Sequence, residues 1–536
     1  MRKMTIILLS LITTFASCDK IDKSGWIIPE EEEVLTDAEA VVPSGLYNLS
    51  AGKFYLLNSE PISSQKDAFP IEPWSSGTLL TDEDATGSSK GCVAWRAQEA
   101  EVVVDLGSLR EIEALKIHGV ENANLSIQCP AKVEVYIRKN DTESWTKLNG
   151  SLSFNAQTEN PDEGIWGEMN FTKSKARYVK CVLFSADDQQ NMGVDEIVVI
   201  GGFQTDPKYV PSEGCYHGAF NNNTSFADNT DPSIVVNYKS CPIDTYEAQV
   251  GKQLSIMLWY QGVCDSNNKP TRMFSEMQGV RESYTGVNFD GKYRFFIYGW
   301  LPDQYTSKQL AEGVLDEYYK AYFKEIADHP EYMDLGPVWF RPANEMNSNW
   351  LQYGGDPKNY VKYWRRMYNI AEQYGLTDFN VFVWSPNDVT FNSTNHVMPE
   401  AVMHDYWPGE IYVDWVGVSC YPTSLAGLVW PEDLIEEVYT LGKRYGKPMM
   451  VSEGAYGKQV QDSKKAEWVR AYFEALKKYG FKATIWENHE TDANGDRRIH
   501  THPTALETYK EIIKDSYWLD RIPEEVYNEI ERRKNK

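Results

Sequence analysis

Two domains, an N-terminal all-β sandwich and a C-terminal (β/α)8 TIM barrel, are predicted by three features of this sequence. Between about residues 41 and 203, short runs of alternating apolar and polar residues are separated by clusters of Gly, Asn, Asp and Pro, the pattern of half-buried strands joined by turns. From residue 211 onward, apolar runs alternate with stretches of helical period, as parallel strands joined by crossover helices require. Two of those runs stop abruptly at a glutamate, and the carboxyl ends of the strands are where such a barrel keeps its chemistry.

Composition narrows the class further. With 536 residues, 42% hydrophobic and 24% charged, the chain has apolar material for two or three domains. A formal net charge of −25 argues against a nucleic-acid partner, because a phosphate backbone demands a basic face. The excess acid serves solvation. The 17 Trp and 33 Tyr are mostly core, yet pyranose rings stack on such faces, which favours a protein that handles sugars.

Residues 1–17 begin with Arg2 and Lys3, continue through the apolar run Ile6 to Ile12, and end in the small residues Ala16 and Ser17. The run is too short to span a bilayer and reads as an export signal. Phe15-Ala16-Ser17-Cys18 resembles a bacterial lipobox, which implies lipid attachment at Cys18; plain secretion is the alternative. Residues 18–40, with acids from Glu30 to Glu33, read as an acidic tether. The expected location is the bacterial cell envelope, at the outer membrane or cell surface. The seven later cysteines lack paired spacing, no CxxC or HExxH occurs, and the eight histidines are scattered. No catalytic metal and no cofactor are therefore expected.

Within 41–203 the runs Glu101 to Leu106 and Val133 to Ile137 alternate as strands do. The order of Leu80-Thr81-Asp82, Ala94-Trp95, Val104-Asp105-Leu106-Gly107, Leu115-Lys116-Ile117-His118, Val133-Glu134-Val135-Tyr136, Arg177-Tyr178-Val179-Lys180 and Val194-Asp195-Glu196-Ile197 is similar to that of discoidin-like sandwiches of carbohydrate-binding module family 32. That resemblance implies a glycan-holding domain. It also implies a structural calcium near Asp82 and Asp84, with solvated turn acids as the alternative. Trp74, Trp95 and Trp166 are either core or sugar-stacking residues.

After a linker at 204–210 the barrel spans 211–520, and 521–536 reads as a charged tail. Its eight strands are expected at Cys215 to Phe220, Leu254 to Trp259, Tyr293 to Tyr298, Val338 to Phe340, Val381 to Trp384, Val413 to Ser419, Pro448 to Ser452 and Ala483 to Trp486. Leu310 to Ile326 and Trp468 to Tyr479 read as amphipathic helices. Strand 4 runs into Arg341, Pro342, Asn344 and Glu345, and strand 7 into Glu453. Two such carboxylates suit glycosidic bond cleavage with retention, one protonating the leaving oxygen and the other attacking the anomeric carbon from roughly 5–5.5 Å away.

The phrases Phe340-Arg341-Pro342, Asn344-Glu345-Met346-Asn347 with Trp350, Val383-Trp384-Ser385-Pro386-Asn387, Trp407-Pro408-Gly409, Tyr412 to Gly417 and Ser452-Glu453 resemble glycoside hydrolase family 26. Its members are retaining (β/α)8 enzymes, mostly endo-β-1,4-mannanases, with some mixed-linkage β-glucanases and β-1,3-xylanases. The resemblance implies Glu345 as acid/base and Glu453 as nucleophile. It implies that Tyr421 donates a hydrogen bond to the nucleophile, that Trp350, Trp384 and Trp486 are sugar platforms, and that Arg341 organises the carboxylates. Asn344 stands where the family usually has His, and it can still hydrogen-bond a sugar hydroxyl. Ser419 stands where an acid is common. Both departures bear on the substrate more than on the reaction.

The resulting expectation is an exported, lipid-anchored, retaining endo-glycosidase acting on a β-linked polysaccharide, β-1,4-mannan first. Other β-glycans are the alternative within the class, and an inactive cell-surface glycan-binding protein is the alternative outside it.

Overall fold

The computed structural model describes residues 45–59, 79–85, 92–121, 126–150, 152–154, 164–186, 191–203, 206–221, 225–227, 235–237, 242–282, 294–388, 403–422, 429–457, 460–491 and 495–535. Cys18, the signal, the tether and Trp74 lie outside them.

The N-terminal domain is a largely antiparallel sheet folded around one main core, with two smaller apolar clusters beside it. Its long strands are β1 (Glu99–Val120), β2 (Lys132–Arg138), β3 (Ile165–Phe184) and β4 (Asn191–Gly202), paired in the order β4-β1-β3-β2. β1 and β3 lose register between Asp105 and Arg110 and again between Ile112 and Ala114, and such bulges bend a strand so that it serves both halves of a sandwich. Alternate residues such as Val102, Val104, Val133, Val135, Val179 and Cys181 fill one cluster. Trp95 is part of that core.

The second domain is a closed barrel of eight parallel strands. They are β5 (Cys215–Phe220), β6 (Ile256–Gly262), β7 (Phe295–Leu301), β8 (Val338–Pro342), β9 (Val381–Trp384), β10 (Trp415–Cys420), β11 (Met449–Gly454) and β12 (Ala483–Glu487). Each pairs with the next, and β5 pairs with both β12 and β6 to close the ring. The expected strands are all present, with ends shifted by up to three residues. Inward-facing rings from Tyr216, Phe295, Trp339 and Trp415 fill the interior, Trp339 lying 4.9 Å from Phe295 and 4.8 Å from Trp415. The barrel is a packed core with its chemistry confined to one end.

Three expectations change. The helix expected over Leu310 to Ile326 is two helices, Ser307–Ala311 and Asp316–Asp328, broken at Gly313, which takes φ +88°. The charged tail is the helix Glu524–Lys534, whose Val526 and Ile530 join the barrel core; its four-residue apolar spacing was masked by the charges on its other face. The linker is docked as well. Lys208 is buried and donates to Asn380 O at 2.7 Å and Asp414 Oδ2 at 2.8 Å, and Tyr209 packs under the barrel.

The two domains meet along α1 (Pro357–Gln373), the helix after β8. Lys53 of the sandwich is buried against Glu372 at 2.5 Å and Asn369 at 2.8 Å. Asp82, Glu83 and Asp84 pair with Lys362, Arg365 and Lys358 at 2.7, 2.7 and 3.1 Å. The acids expected near a calcium loop thus face cationic side chains. Among the described residues no group of three or more His, Cys, Asp or Glu is placed to hold a metal ion.

Candidate active site

The site is assembled at the carboxyl ends of β8 to β12. Side chains alternate along a strand, so Arg341 points the same way as the core residue Trp339 and is fully buried. Its Nη1 donates to Glu453 Oε2 and to the Tyr260 hydroxyl, both at 3.1 Å, and its Nη2 donates to Ser419 Oγ at 2.9 Å. Burial pushes this guanidinium down to about 10, with the charge of Glu345 foremost in opposing the shift.

A bulge aims Glu453. Met450 faces the barrel core, so simple alternation turns Ser452 inward and Glu453 outward. Instead β10 and β11 pair Val418 with Val451 and then Ser419 with Glu453, leaving Ser452 as an extra residue. Ser452 keeps its inward place, sharing a 2.6 Å hydrogen bond with Ser385, and Glu453 turns in as well. Ser419 Oγ donates to Glu453 Oε1 at 2.7 Å, so both carboxylate oxygens are held. Burial pushes the Glu453 carboxyl well above the usual range, the neighbouring Glu487 adds to this, and Arg497 opposes it. The Arg341 ion pair and the Ser419 hydroxyl favour the anion without removing the effect of burial.

Glu345 sits just beyond β8 in a left-handed turn, with φ +57°, following Ala343 at φ +45°. Non-glycine residues held there cost on the order of 1–3 kcal/mol each, so the surroundings must impose the geometry. They do: Glu345 N donates to Ser385 O at 2.9 Å, Asn347 Nδ2 to Asn387 O at 2.9 Å, and Asn387 N to Asn347 Oδ1 at 2.7 Å. The Glu345 carboxylate accepts from Asn387 Nδ2 at 2.9 Å and from Trp350 Nε1 at 3.0 Å. Trp350 itself is 50% exposed. Asn387, which orients Glu345, is bridged to Ser419, which orients Glu453. The two carboxylates are thereby tied to one scaffold. Asn344 is buried beside them; its carbonyl accepts from the Tyr353 hydroxyl, and its Oδ1 has no partner among the described residues.

Three expected roles are corrected by geometry. Trp384 is buried in the helix layer, donating to Tyr406 O at 3.0 Å and meeting Trp407 edge-on. Trp486 is likewise buried, donating to Arg497 O at 3.2 Å with Tyr472 and Tyr509 packed edge-on against it. Neither ring is a sugar platform, because each lies one residue out of phase with its strand's inward-facing positions, Val383 and Ile485. The Tyr421 hydroxyl donates at 2.5 Å to Glu487 in place of the expected bond to Glu453, whose oxygens accept from Arg341 and Ser419.

Several residues escaped the sequence reading. Glu487 ends β12, sharing the phase of Ala483 and Ile485, and is clamped by Tyr421 and by Arg497, whose guanidinium lies 3.8 Å above the Tyr421 ring centre. The rule that singled out Glu345 and Glu453, a carboxylate closing an apolar strand, applies equally to Ala483-Thr484-Ile485-Trp486-Glu487. Asp388 accepts from Tyr421 N at 3.0 Å; burial pushes its carboxyl well up, that N–H opposes the shift, and Glu345 adds to it. Tyr260, against Arg341, needs Gly299 across the sheet, where a Cβ would lie 2.4 Å from the tyrosine ring.

Residues 64–197 match the F5/8 type C domain and residues 306–490 match glycosyl hydrolase family 26. No curated protein matches the chain. Similar solved structures include the catalytic domain of the Bacillus sp. JAMB-750 endo-β-1,4-mannanase, at 17% identity over 57% of this chain and 87% of that one, with a TM-score of 0.41. A β-mannanase from Bacteroides ovatus gives 14% identity over 57% and 90%, with a TM-score of 0.40. A Cellulomonas fimi endo-β-1,4-mannanase double mutant gives 16% over 57% and 72%, with a TM-score of 0.42. The family 26 match contains Arg341, Glu345, Ser419, Glu453 and Glu487, the side chains gathered at the mouth of the barrel. With an F5/8 type C domain ahead of a glycosyl hydrolase family 26 domain seated in a closed parallel barrel, this chain is a glycoside hydrolase.

Proposed function

We propose that the protein is a retaining, endo-acting glycosidase that cleaves a neutral β-linked polysaccharide, with Glu345 as acid/base and Glu453 as nucleophile. One observation carries this reading. Two strand-end carboxylates, each held through both oxygens, hang from the paired residues Asn387 and Ser419. In the first step Glu345 gives its proton to the glycosidic oxygen while Glu453 Oε attacks the anomeric carbon, forming a glycosyl ester and releasing the leaving chain. In the second, Glu345 takes a proton from water, whose oxygen attacks the same carbon and frees Glu453. Arg341 and Ser419 keep the nucleophile aligned throughout, and Trp350 offers a half-open ring beside Glu345 on which a sugar face can stack.

Charge supports a neutral substrate. Arg341 and Arg497 are already paired with Glu453 and Glu487, so neither is left to bind the carboxylate of a uronate chain. β-1,4-mannan leads because the family matched by residues 306–490 consists mostly of endo-β-1,4-mannanases. Reducing-sugar release from galactomannan, glucomannan, mixed-linkage β-glucan, β-1,3-xylan and the β-1,4-linked polyuronate polymannuronate tests the substrate. Glu345→Ala should lose about 10²–10⁴-fold in kcat/KM on the preferred glycan, and Glu453→Ala should fall to background. Proton NMR of the first product should show the β-anomer. Undiminished activity in Glu453→Ala, or an α-anomer, would refute the assignment.

The leader and Cys18 support a second proposal, export with lipid attachment at Cys18. Labelled palmitate should enter the wild-type protein and be absent from Cys18→Ala; equal labelling would remove it.

A further inference from the structure

Glu487 has no part in the two-carboxylate cycle, yet it is buried at the mouth of the barrel and fixed from two sides. Tyr421 donates to its Oε2 at 2.5 Å, and Arg497 pairs with the same oxygen while lying flat over the Tyr421 ring at 3.8 Å. All three residues are buried. β12 is also the strand next to β11, which carries Glu453. The ionisable and polar groups around Glu453 can be taken element by element. β8 contributes Arg341, in contact, with Glu345 just beyond the strand. β10 contributes Ser419, in contact, and Tyr421 follows that strand. β12 contributes Glu487, and the segment after it Arg497. Beyond β9 lies Asp388, bonded to Tyr421 N.

Resting on the reading of Glu453 as nucleophile, we propose that Glu487 is a positioning residue for the reaction: held by Tyr421 and Arg497, it sets a fixed negative charge beside Glu453 that offsets Arg341 and Ser419. The chemistry gives such a charge a use. An ion pair and a hydroxyl bond fasten the nucleophile but also draw electron density from it and weaken its attack on carbon. A like charge nearby restores basicity to the carboxylate without loosening its hydrogen bonds. The same charge acts in reverse in the second step, when Glu453 leaves: a more basic carboxylate departs more slowly. Arg497 pairs with Glu487, and Tyr421 donates to the same oxygen, so the carboxylate is held in one orientation. This also accounts for a tyrosine hydroxyl at the end of β10 that does not bond to the nucleophile.

The test removes the charge and keeps the shape. Glu487→Gln retains an oxygen to accept from Tyr421. Ionised Glu453 is the active form, and Glu487 raises its pKa, so the acid limb of the kcat/KM profile should move to lower pH, by about one unit. The plateau of kcat/KM should fall several-fold, whereas kcat on an activated aryl glycoside, limited by the second step, should hold or rise. Glu487→Asp keeps the charge, and its limb should stay near the wild-type position. Glu487→Met, apolar and of similar length, reads the same limb should the amide variant not fold. An acid limb unmoved in both Gln and Met variants, or moved equally in Asp and Gln, overturns the proposal. A carboxyl 13C titration of Glu453, identified by its loss in Glu453→Gln, follows the same shift without turnover. If Glu453→Ala retains activity while the 13C midpoint still moves between wild type and Glu487→Gln, the nucleophile assignment has failed and the electrostatic coupling stands. A 13C midpoint that does not move defeats the coupling whatever the activity.

Discussion

Lys53→Ala probes how firmly the sandwich is built into the enzyme. The Lys53 ammonium is 2% exposed and makes a 2.5 Å ion pair with Glu372, itself 5% exposed. It also donates to Asn369 at 2.8 Å and lies 5.0 Å from the centre of the Tyr412 ring. Truncation leaves Glu372 buried with Arg110, at 3.5 Å, as its remaining ion-pair partner among the described residues. Breaking a buried pair from one side costs about 3–5 kcal/mol, because the surviving charge stays desolvated. For a unit of 150–250 residues that corresponds to a drop in melting temperature of roughly 6–20 °C. Thermal unfolding followed by tryptophan fluorescence should show one transition in the wild type and an earlier step in Lys53→Ala. The double variant Lys53→Met/Glu372→Met removes both charges and should recover a large part of the loss. A single-variant loss below about 1 kcal/mol, within the range of an exposed pair, would refute the reasoning.

Two further outcomes follow from where the tryptophans lie. Trp384→Ala and Trp486→Ala should each cost about 3–5 kcal/mol of stability, as buried large-to-small changes do, with KM unchanged for molecules that remain folded; chemical denaturation and kinetics on the same samples separate the two effects. Trp350→Ala should leave stability within about 0.5 kcal/mol but raise KM roughly tenfold, the equivalent of about 1.4 kcal/mol of lost binding; an unchanged KM would remove Trp350 from the substrate path.

Much of this was legible in the sequence because burial writes itself as apolar runs. Each barrel strand is such a run, and Glu345 and Glu453 stood out because a carboxylate ends the run abruptly. What failed was phase. Trp486 shares a side with Thr484 and lies opposite Ile485, so counting by twos from the core would have turned it outward and shown Glu487 as the group facing the site. Counting alone would have erred at Glu453, whose direction depends on the bulge at Ser452. Nothing local in Val451-Ser452-Glu453 announces that bulge, which arises from pairing with β10. The contact of Ser419 was hidden for a related reason: a hydroxyl becomes the donor to a neighbouring carboxylate only through its cross-strand partner. The C-terminal helix was misread because charged residues on its exposed face, Glu531, Arg532 and Lys534 among them, obscured Val526 and Ile530.

The seam between the domains bears on how such a protein can be reassembled in evolution or in the laboratory. At Gly107, with φ +78°, a Cβ would fall 1.7 Å from Glu372 Oε2, and at Gly52, with φ +69°, 2.7 Å from Arg365 Cδ. Two bare backbone positions on one domain are thus cut to the side chains of one helix on the other. An accessory domain on a flexible leash can be exchanged for another as a cassette. This one cannot, because its glycines, its lysine and its three acids fit only a helix that carries Arg365, Asn369 and Glu372 in the same register. Sandwich and barrel are heritable as a pair, and a chimera that joins either to a stranger must import the other half of the seam.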